Sequence, residues 1–368
     1  MTLIGLRTAA LWIAAAWIAG SMVSPRANAE QLRHVILAVG TSVLNVGYPM
    51  DTLPLSLGYW KEEGYDVDVQ PVGSSLQAIQ QLVAGNADLV QVNAAAIVQS
   101  DVTNKLSVRV VMANGVTDWA IAVPADSPIR SLADLKGKTI GVFSVVTAGV
   151  PLLQHALKQM GTTADAAGIS FLPVGLGAPP VQALRRGQVD ALLYWAAALA
   201  SFRNAGLDLR DIVPPEWRTY PDYSLATLER TASTDSNMVV AIARGVAKAT
   251  VYAIANPECA VRLQWKRYPD TKPKGVDEAS AMRMDLNIID AQLSTLADGF
   301  KLNGGKQWGA ADPGGFARLQ TFLKEAGITN GLLPPDSYLA GIPNLYQRIN
   351  DFDAGKIRAA ARTCEAAP

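Results

Sequence analysis

The chain has 368 residues, 49% hydrophobic and 17% charged, with 32 basic residues against 32 acidic ones. That is the composition of a globular protein long enough for about two domains. It excludes a long disordered tail and offers no basic excess for a nucleic-acid surface.

Residues 1–29 hold no acid and two bases, Arg7 and Arg26. Between them an apolar run from Ala9 to Val23 is shorter than the ~20 residues of a comfortable membrane span. It ends in Ala27-Asn28-Ala29, a small-x-small cleavage site. Basic start, short apolar core and small-residue exit read as a secretory signal, with an uncleaved anchor helix as the alternative. Cleavage would leave a chain starting at Glu30, with 30 basic residues against 32 acidic ones once Arg7 and Arg26 are gone. No later segment reads as a membrane span, so the expected product is a soluble periplasmic monomer. Cys259 and Cys364 both remain in it. An even pair in an oxidising compartment suggests a disulfide, the alternative being two separate buried thiols.

After the leader the chain alternates strands and helices. His34 to Gly40 reads as a buried strand, Asp51 to Glu63 as a helix stopped by Gly64, and Tyr65 to Val69 as an alternating strand. Ser74 and Ser75 open a helix with Leu76, Ile79, Leu82 and Val83 at helical spacing. Ala87 to Gln91 is a strand, Asn93 opens a helix to about Asn104, and Val108 to Met112 is a strand. A second unit follows, with strands at 119–124, 139–143, 169–174 and 190–194 and helices at 147–160, 179–186 and 196–205. Alternation of this kind predicts parallel pairing with crossover helices. After one more strand at 223–228 the chain reads helical, at 236–255, 257–268, 278–300, 313–326 and 354–363. Such a tail must bury its apolar stripes, and the first lobe is the expected place.

Several segments then carry a family resemblance. They are Gly58-Tyr59-Trp60-Lys61-Glu62-Glu63-Gly64-Tyr65-Asp66-Val67-Asp68-Val69, the stretch from Gly73-Ser74-Ser75 to Gly85-Asn86-Ala87-Asp88, Ser127-Pro128 through Gly137-Lys138, and Ala183-Leu184-Arg185-Arg186-Gly187-Gln188-Val189-Asp190-Ala191. In this order the chain resembles the substrate-binding proteins of ABC importers of the nitrate, sulfonate and taurine group, which share the thiamine-pyrimidine-synthase-like fold. The resemblance implies an α/β, two-lobe periplasmic binding protein of type II, each lobe a mostly parallel sheet flanked by helices, with an extra helical C-terminal region. The expected division is 1–29 signal, 30–115 with 221–368 as lobe one, and 116–220 as lobe two. Crossings between lobes fall near 114–122 and 212–224. The implied partners are a small-molecule ligand and an importer permease in the membrane.

Elementary fold logic points to the same cleft, because ligands of open α/β sheets bind beyond the carboxyl ends of the strands, where helix N-termini also point. The expected ligand-binding residues are Ser42, Asn45, Ser74, Ser75, Asn93, Asp118, Trp119, Ser144, Thr147, Gly175, Gly177, Tyr194 and Trp195. Ser74, Ser75 and Asn93 are equally good helix caps, the two tryptophans equally good core, and the glycines equally good turn residues. Neither tryptophan is expected in the central core. No Arg or Lys falls in the strand-end loops, so an inorganic anion such as nitrate fits poorly. A small organic anion or aromatic compound fits better.

The enzyme alternative finds little support. His34 and His155 pair with no Cys, Ser or carboxylate at useful spacing, and no metal or phosphate-loop motif is present, so neither metal nor cofactor is expected. An enzyme of the pyrimidine-synthase-like group, or a ligand sensor without transport, remains the alternative. A transcription regulator would need a DNA-binding segment where this chain has its leader. Mass spectrometry of protein recovered from the periplasm should find Glu30 at the N-terminus. The full chain in the membrane fraction would contradict the leader reading.

Overall fold

A computed structural model of the protein describes residues 32–145 and 147–365. The leader expected at 1–29 lies outside them. In chain order the first elements are β1 (Arg33–Val39), α1 (Pro49–Leu57), α2 (Tyr59–Glu62), β2 (Tyr65–Pro71), α3 (Ser75–Ala84), β3 (Leu89–Val92), α4 (Ala94–Asn104) and β4 (Val108–Ala113). Then come β5 (Trp119–Pro124), β6 (Thr139–Val142), α5 (Gly149–Gln159), β7 (Ser170–Pro173), α6 (Ala178–Arg185), β8 (Ala191–Trp195), α7 (Ala196–Asn204) and β9 (Leu209–Ile212). The rest is β10 (Ser224–Leu228), α8 (Glu229–Thr234), α9 (Ser236–Ala255), α10 (Pro257–Arg267), α11 (Glu278–Leu302), α12 (Pro313–Glu325), α13 (Leu345–Ile349) and α14 (Ala354–Thr363).

Two five-stranded sheets result, in the orders β2-β1-β3-β10-β4 and β7-β6-β8-β5-β9. Each is mostly parallel, as expected, with four strands running the same way and one reversed. β1 pairs in parallel with β2 and β3, and β6 with β7 and β8. β10 runs antiparallel between β3 and β4, and β5 antiparallel between β8 and β9. The cause is the same in both sheets: the reversed strand is the one that arrives from the other sheet. The helix expected over 51–63 breaks at Gly58, whose φ of 79° ends α1 in a left-handed cap. β9 and the short α8 escaped the sequence pattern, since four to six residues carry too little periodicity.

The C-terminal helices do more than cover the first sheet. α9 packs beside α1, with Met238, Val239, Ile242, Val246 and Tyr252 buried. At 20 residues it is long and apolar enough to cross a membrane, which corrects the expectation that no segment past the leader is; most of it is enclosed by the rest of the protein, as in a core helix. α11 reaches the second sheet's helices, where Asn204 Nδ2 donates to the Met284 carbonyl at 2.8 Å and Asn287 Nδ2 to Asn204 Oδ1 at 2.7 Å. α11 also lies directly on the first crossover. A Cβ at Gly299 would stand 2.9 Å from Gly115 Cα, so only glycine permits this approach. α12 touches α5, with the Phe322 and His155 rings 5.1 Å apart and Lys158 Nζ donating to the Glu325 carbonyl at 3.2 Å. One apolar core therefore runs from Ile79 and Val90 of the first sheet's layer, through Trp217, Tyr220 and Phe316, to Ile140 and Leu153 of the second.

Cys259 and Cys364 form a disulfide, with Cα atoms 5.5 Å apart and a sequence separation of 105. It joins α10 to the end of α14. Asn256 Nδ2 reinforces it by donating to the Ala361 carbonyl at 2.8 Å, and Tyr252 Oη by donating to the Glu365 carbonyl at 3.0 Å. Closing so long a loop contributes up to about 4–5 kcal/mol in the chain-entropy limit. Urea unfolding with and without reductant should show that loss as a lower midpoint. Superimposable curves would mean the bridge stabilises nothing.

Candidate ligand site

The strand-end loops of both sheets meet the two crossovers, and a chain of contacts runs between them. Ser75, the first residue of α3, donates its hydroxyl to Asn93 Oδ1 at 2.9 Å and accepts the Asn93 N–H at 3.1 Å. Asn93 Nδ2 donates in turn to Asp222 Oδ1 at 2.6 Å. Asn93 thus precedes α4 without capping it by its side chain; the first helical N–H, that of Ala94, goes to the Asp222 carbonyl at 3.2 Å. On the first crossover Asp118 Oδ2 accepts the N–H of Ala196, the first residue of α7, at 3.2 Å. A carboxylate at a helix N-terminus is favourably placed.

Two tyrosines frame this junction. The rings of Tyr48 and Tyr223 lie 5.8 Å apart. Beside them Asp51 is fully buried, and among the described residues neither of its carboxylate oxygens has a hydrogen-bond partner; the Tyr223 hydroxyl has none either. Burial, the largest cause, drives the Asp51 carboxyl well above its ordinary range. Burial likewise lifts Asp118 to about 6, against the opposing pull of Arg218 and the Ala196 N–H. Asp222 rises to about 7 through burial, opposed by the Asn93 hydrogen bond and assisted by the Asp118 charge. Tyr223 is pushed up by burial and then by Tyr48, Asp51 and Asp222.

The second sheet contributes an aromatic wall. Half-buried Trp195 stands 5.6 Å from Trp119 and 6.0 Å from Phe143, edge to face in both cases. Phe143, Val145 and Leu176 are exposed on the loops after β6 and β7, and Val43 on the loop after β1. Beside the junction, a crevice of about 420 Å³ runs between β5, α7 and α11, lined by Asp118, Ala196, Arg203, Asp211, Arg218 and Asp298 among others. It meets the junction at Asp118 and Ala196.

The expected site residues fall into three groups. Ser75, Asn93, Asp118 and Trp195 come together at the junction. Ser74 is exposed and caps α3, accepting the Gln77 N–H at 3.3 Å; Asn45 turns its own loop by accepting the Gly47 N–H at 2.9 Å. Ser42, Ser144 and Thr147 sit in the loops after β1 and β6, Ser42 exposed and the other two half-buried. Trp119 and Tyr194 need correcting. Trp119 is only 6% exposed and belongs to the core, packed so tightly that a Cβ at Gly149 would lie 2.4 Å from its ring. Tyr194 is 0% exposed, and its hydroxyl donates to the Gly175 carbonyl at 2.5 Å. It therefore supports the loop in which Gly175 and Gly177 take left-handed φ values of 72° and 80°. Of the histidines, His34 faces Asp66 at 3.9 Å on the surface, and His155 packs on Phe322.

Sequence reasoning missed Tyr48, Asp51, Phe143, Arg218, Asp222 and Tyr223. The one available signal was position: Asp222 and Tyr223 close the second expected crossover.

Residues 54–260 match the family described as NMT1/THI5 like. The chain belongs to that family. Relatives in Brucella abortus, Brucella suis and Brucella melitensis, named as candidate binding proteins, are 26% identical over 311 residues, spanning 81% of this chain and 90% of theirs. Among solved structures, the periplasmic aliphatic sulphonate binding protein SsuA of Escherichia coli aligns with a TM-score of 0.61 at 14% identity, covering 83% of this chain and 92% of its own. The desulfurization enzyme DszB aligns with a TM-score of 0.55 at 14% identity, over 86% and 99%. These likenesses establish the two-lobe periplasmic-binding-protein fold, which serves both a binding protein and an enzyme.

Two stability predictions follow from the geometry. Trp119→Ala should cost about 3–5 kcal/mol, as for other buried tryptophans, whereas Trp195→Ala should cost far less; urea unfolding separates them, and equal losses would contradict the assignment of Trp119 to the core. Asp222→Asn should stabilise the protein at pH 8 relative to pH 4.5. Because the folded-state value of Asp222 is raised, its ionisation penalises the fold increasingly as pH climbs from the unfolded value of 3.8 through about 7. Melting temperatures of both proteins at the two pH values measure this, and a stabilisation confined to pH 4.5 would reverse the sign.

Proposed function

We propose that the protein is an exported, periplasmic solute-binding protein that holds a small organic molecule between its two sheets and presents it to an ABC importer. The observation that carries this reading is the convergence at one place of both crossovers, the strand-end loops of both sheets and an exposed aromatic wall. Ligand sites of open α/β sheets lie there. Family membership and the names of the Brucella and Escherichia coli proteins support it. Residues 30–115 with 221–368 form lobe one in this proposal, and 116–220 form lobe two. The ligand bridges them, and closure about the crossovers creates the surface a permease reads.

The family fold also hosts an enzyme. Against that alternative stands the content of the junction: carboxylates, tyrosines, an asparagine, and a serine, Ser75, whose hydroxyl is bonded to the Asn93 amide rather than to a base. The direct test is a thermal-shift screen with organic acids, sulfonates, pyrimidines, aromatic carboxylates and aromatic amines. A true ligand at about 100 times its dissociation constant adds ~2.7 kcal/mol of stability and is recovered unchanged. A compound recovered chemically altered would favour the enzyme, and no shift from any class would contradict binding.

A further inference from the structure

We propose that the end of the ligand reaching the crossovers is a protonated nitrogen, an ammonium or amidinium group on a flat apolar body, so that the cleft selects organic cations over sulfonates and carboxylates. This rests on the binding-protein reading above and specifies its ligand.

The first support is charge. Asp118 and Asp222 stand on different crossovers, and the Asp118 charge acts on Asp222. Asp51, fully buried with both oxygens unpartnered, acts together with Asp118 on Tyr48 and together with Asp222 on Tyr223. The charges of three carboxyl groups therefore act on one pair of tyrosines. Among the described residues the cation acting on Asp118 is Arg218, and its charge is shared with Asp298 and Asp211. Its Nη1 is already committed to the carbonyls of Thr117 at 2.6 Å and Trp119 at 3.1 Å. The groups acting on Asp222 are Asn93 and Asp118, neither of them a cation.

The second support is the state of two helix N-termini, those of α4 and α7 beside the crossover carboxylates. An anion entering an α/β cleft is normally met by free helical N–H groups. Here the start of α7 is taken by the Asp118 carboxylate and that of α4 by the Asp222 carbonyl. A sulfonate approaching either would meet protein oxygen.

The third support is the wall. Tyr48, Tyr223, Trp195 and Phe143 present aromatic surface around the carboxylates, and an aromatic face attracts cations. The unpartnered Tyr223 hydroxyl, between Asp51 and Asp222, supplies an acceptor for an N–H.

The test uses matched aromatic probes on the full secreted protein: benzylammonium and benzamidinium against benzoate and benzenesulfonate, all at millimolar concentration. Wild type, Asp118→Asn and Asp222→Asn are compared by thermal shift and calorimetry, with far-ultraviolet circular dichroism confirming that each variant folds. The cations should stabilise wild type and the anions should not, and each Asn variant should weaken cation binding at least about tenfold. Silence from both cations overturns the inference, whatever else binds. So does cation binding that survives unchanged in both variants. A shift from benzenesulfonate or benzoate alone overturns it while leaving the binding reading intact. Silence from every compound here and in the wider screen takes the binding reading with it.

Discussion

The structure depends on the two places where the chain crosses between sheets. Each crossover delivers a strand that must enter a sheet already running the other way, so β5 and β10 pair antiparallel with their neighbours. Each also carries a carboxylate just short of that strand. Asp118 precedes Trp119 and holds the start of α7; Asp222 precedes Ser224 by two residues and holds Asn93. The same short segments thus fix topology, anchor a helix at the strand ends and set the charge of the space between the sheets. Stability and charge oppose one another here, because burial raises both carboxyls and the Arg218 charge, the Ala196 N–H and the Asn93 amide offset that only in part.

Around the crossovers the C-terminal helices act as braces. α11 lies against the first crossover at Gly115 and Gly299 and continues onto α7, while α12 reaches α5 through Phe322 and His155. A disulfide fastens the last helix behind them. The core is therefore continuous on one side, and any relative motion of the sheets has to shift α11 against α7 and α12 against α5 as well as bend the crossovers.

Much of this was legible in the sequence, and the parts that were not share a cause. The strand–helix alternation, the crossover positions and the pairing of Cys259 with Cys364 follow from local pattern and parity, both of which survive reading one residue at a time. Ser75 and Asn93, which the structure joins by hydrogen bonds, were singled out because helix starts at strand ends are recognisable. Asp222 was not, because its importance lies in a contact with Asn93 across 129 residues. Trp119 was misplaced for a similar reason: whether a strand-end tryptophan faces a cleft or a core is decided by Gly149, whose missing side chain makes room for the ring. Tyr194 turned inward because the Gly175 carbonyl offers its hydroxyl a partner. The one reversed strand in each sheet was hidden because strand direction is a property of the path between elements and leaves no mark in a strand's own composition.

The central claim is that a small solute is held between the two sheets, against the carboxylates of the crossovers. A crystal structure of the protein with the best compound from the screen tests it most directly. The account predicts ligand density between the sheets, within hydrogen-bond distance of Asp118 or Asp222 and in contact with Trp195. Density lying instead wholly in the crevice between α7 and α11, or on an outer face, with the crossover carboxylates untouched, would contradict it.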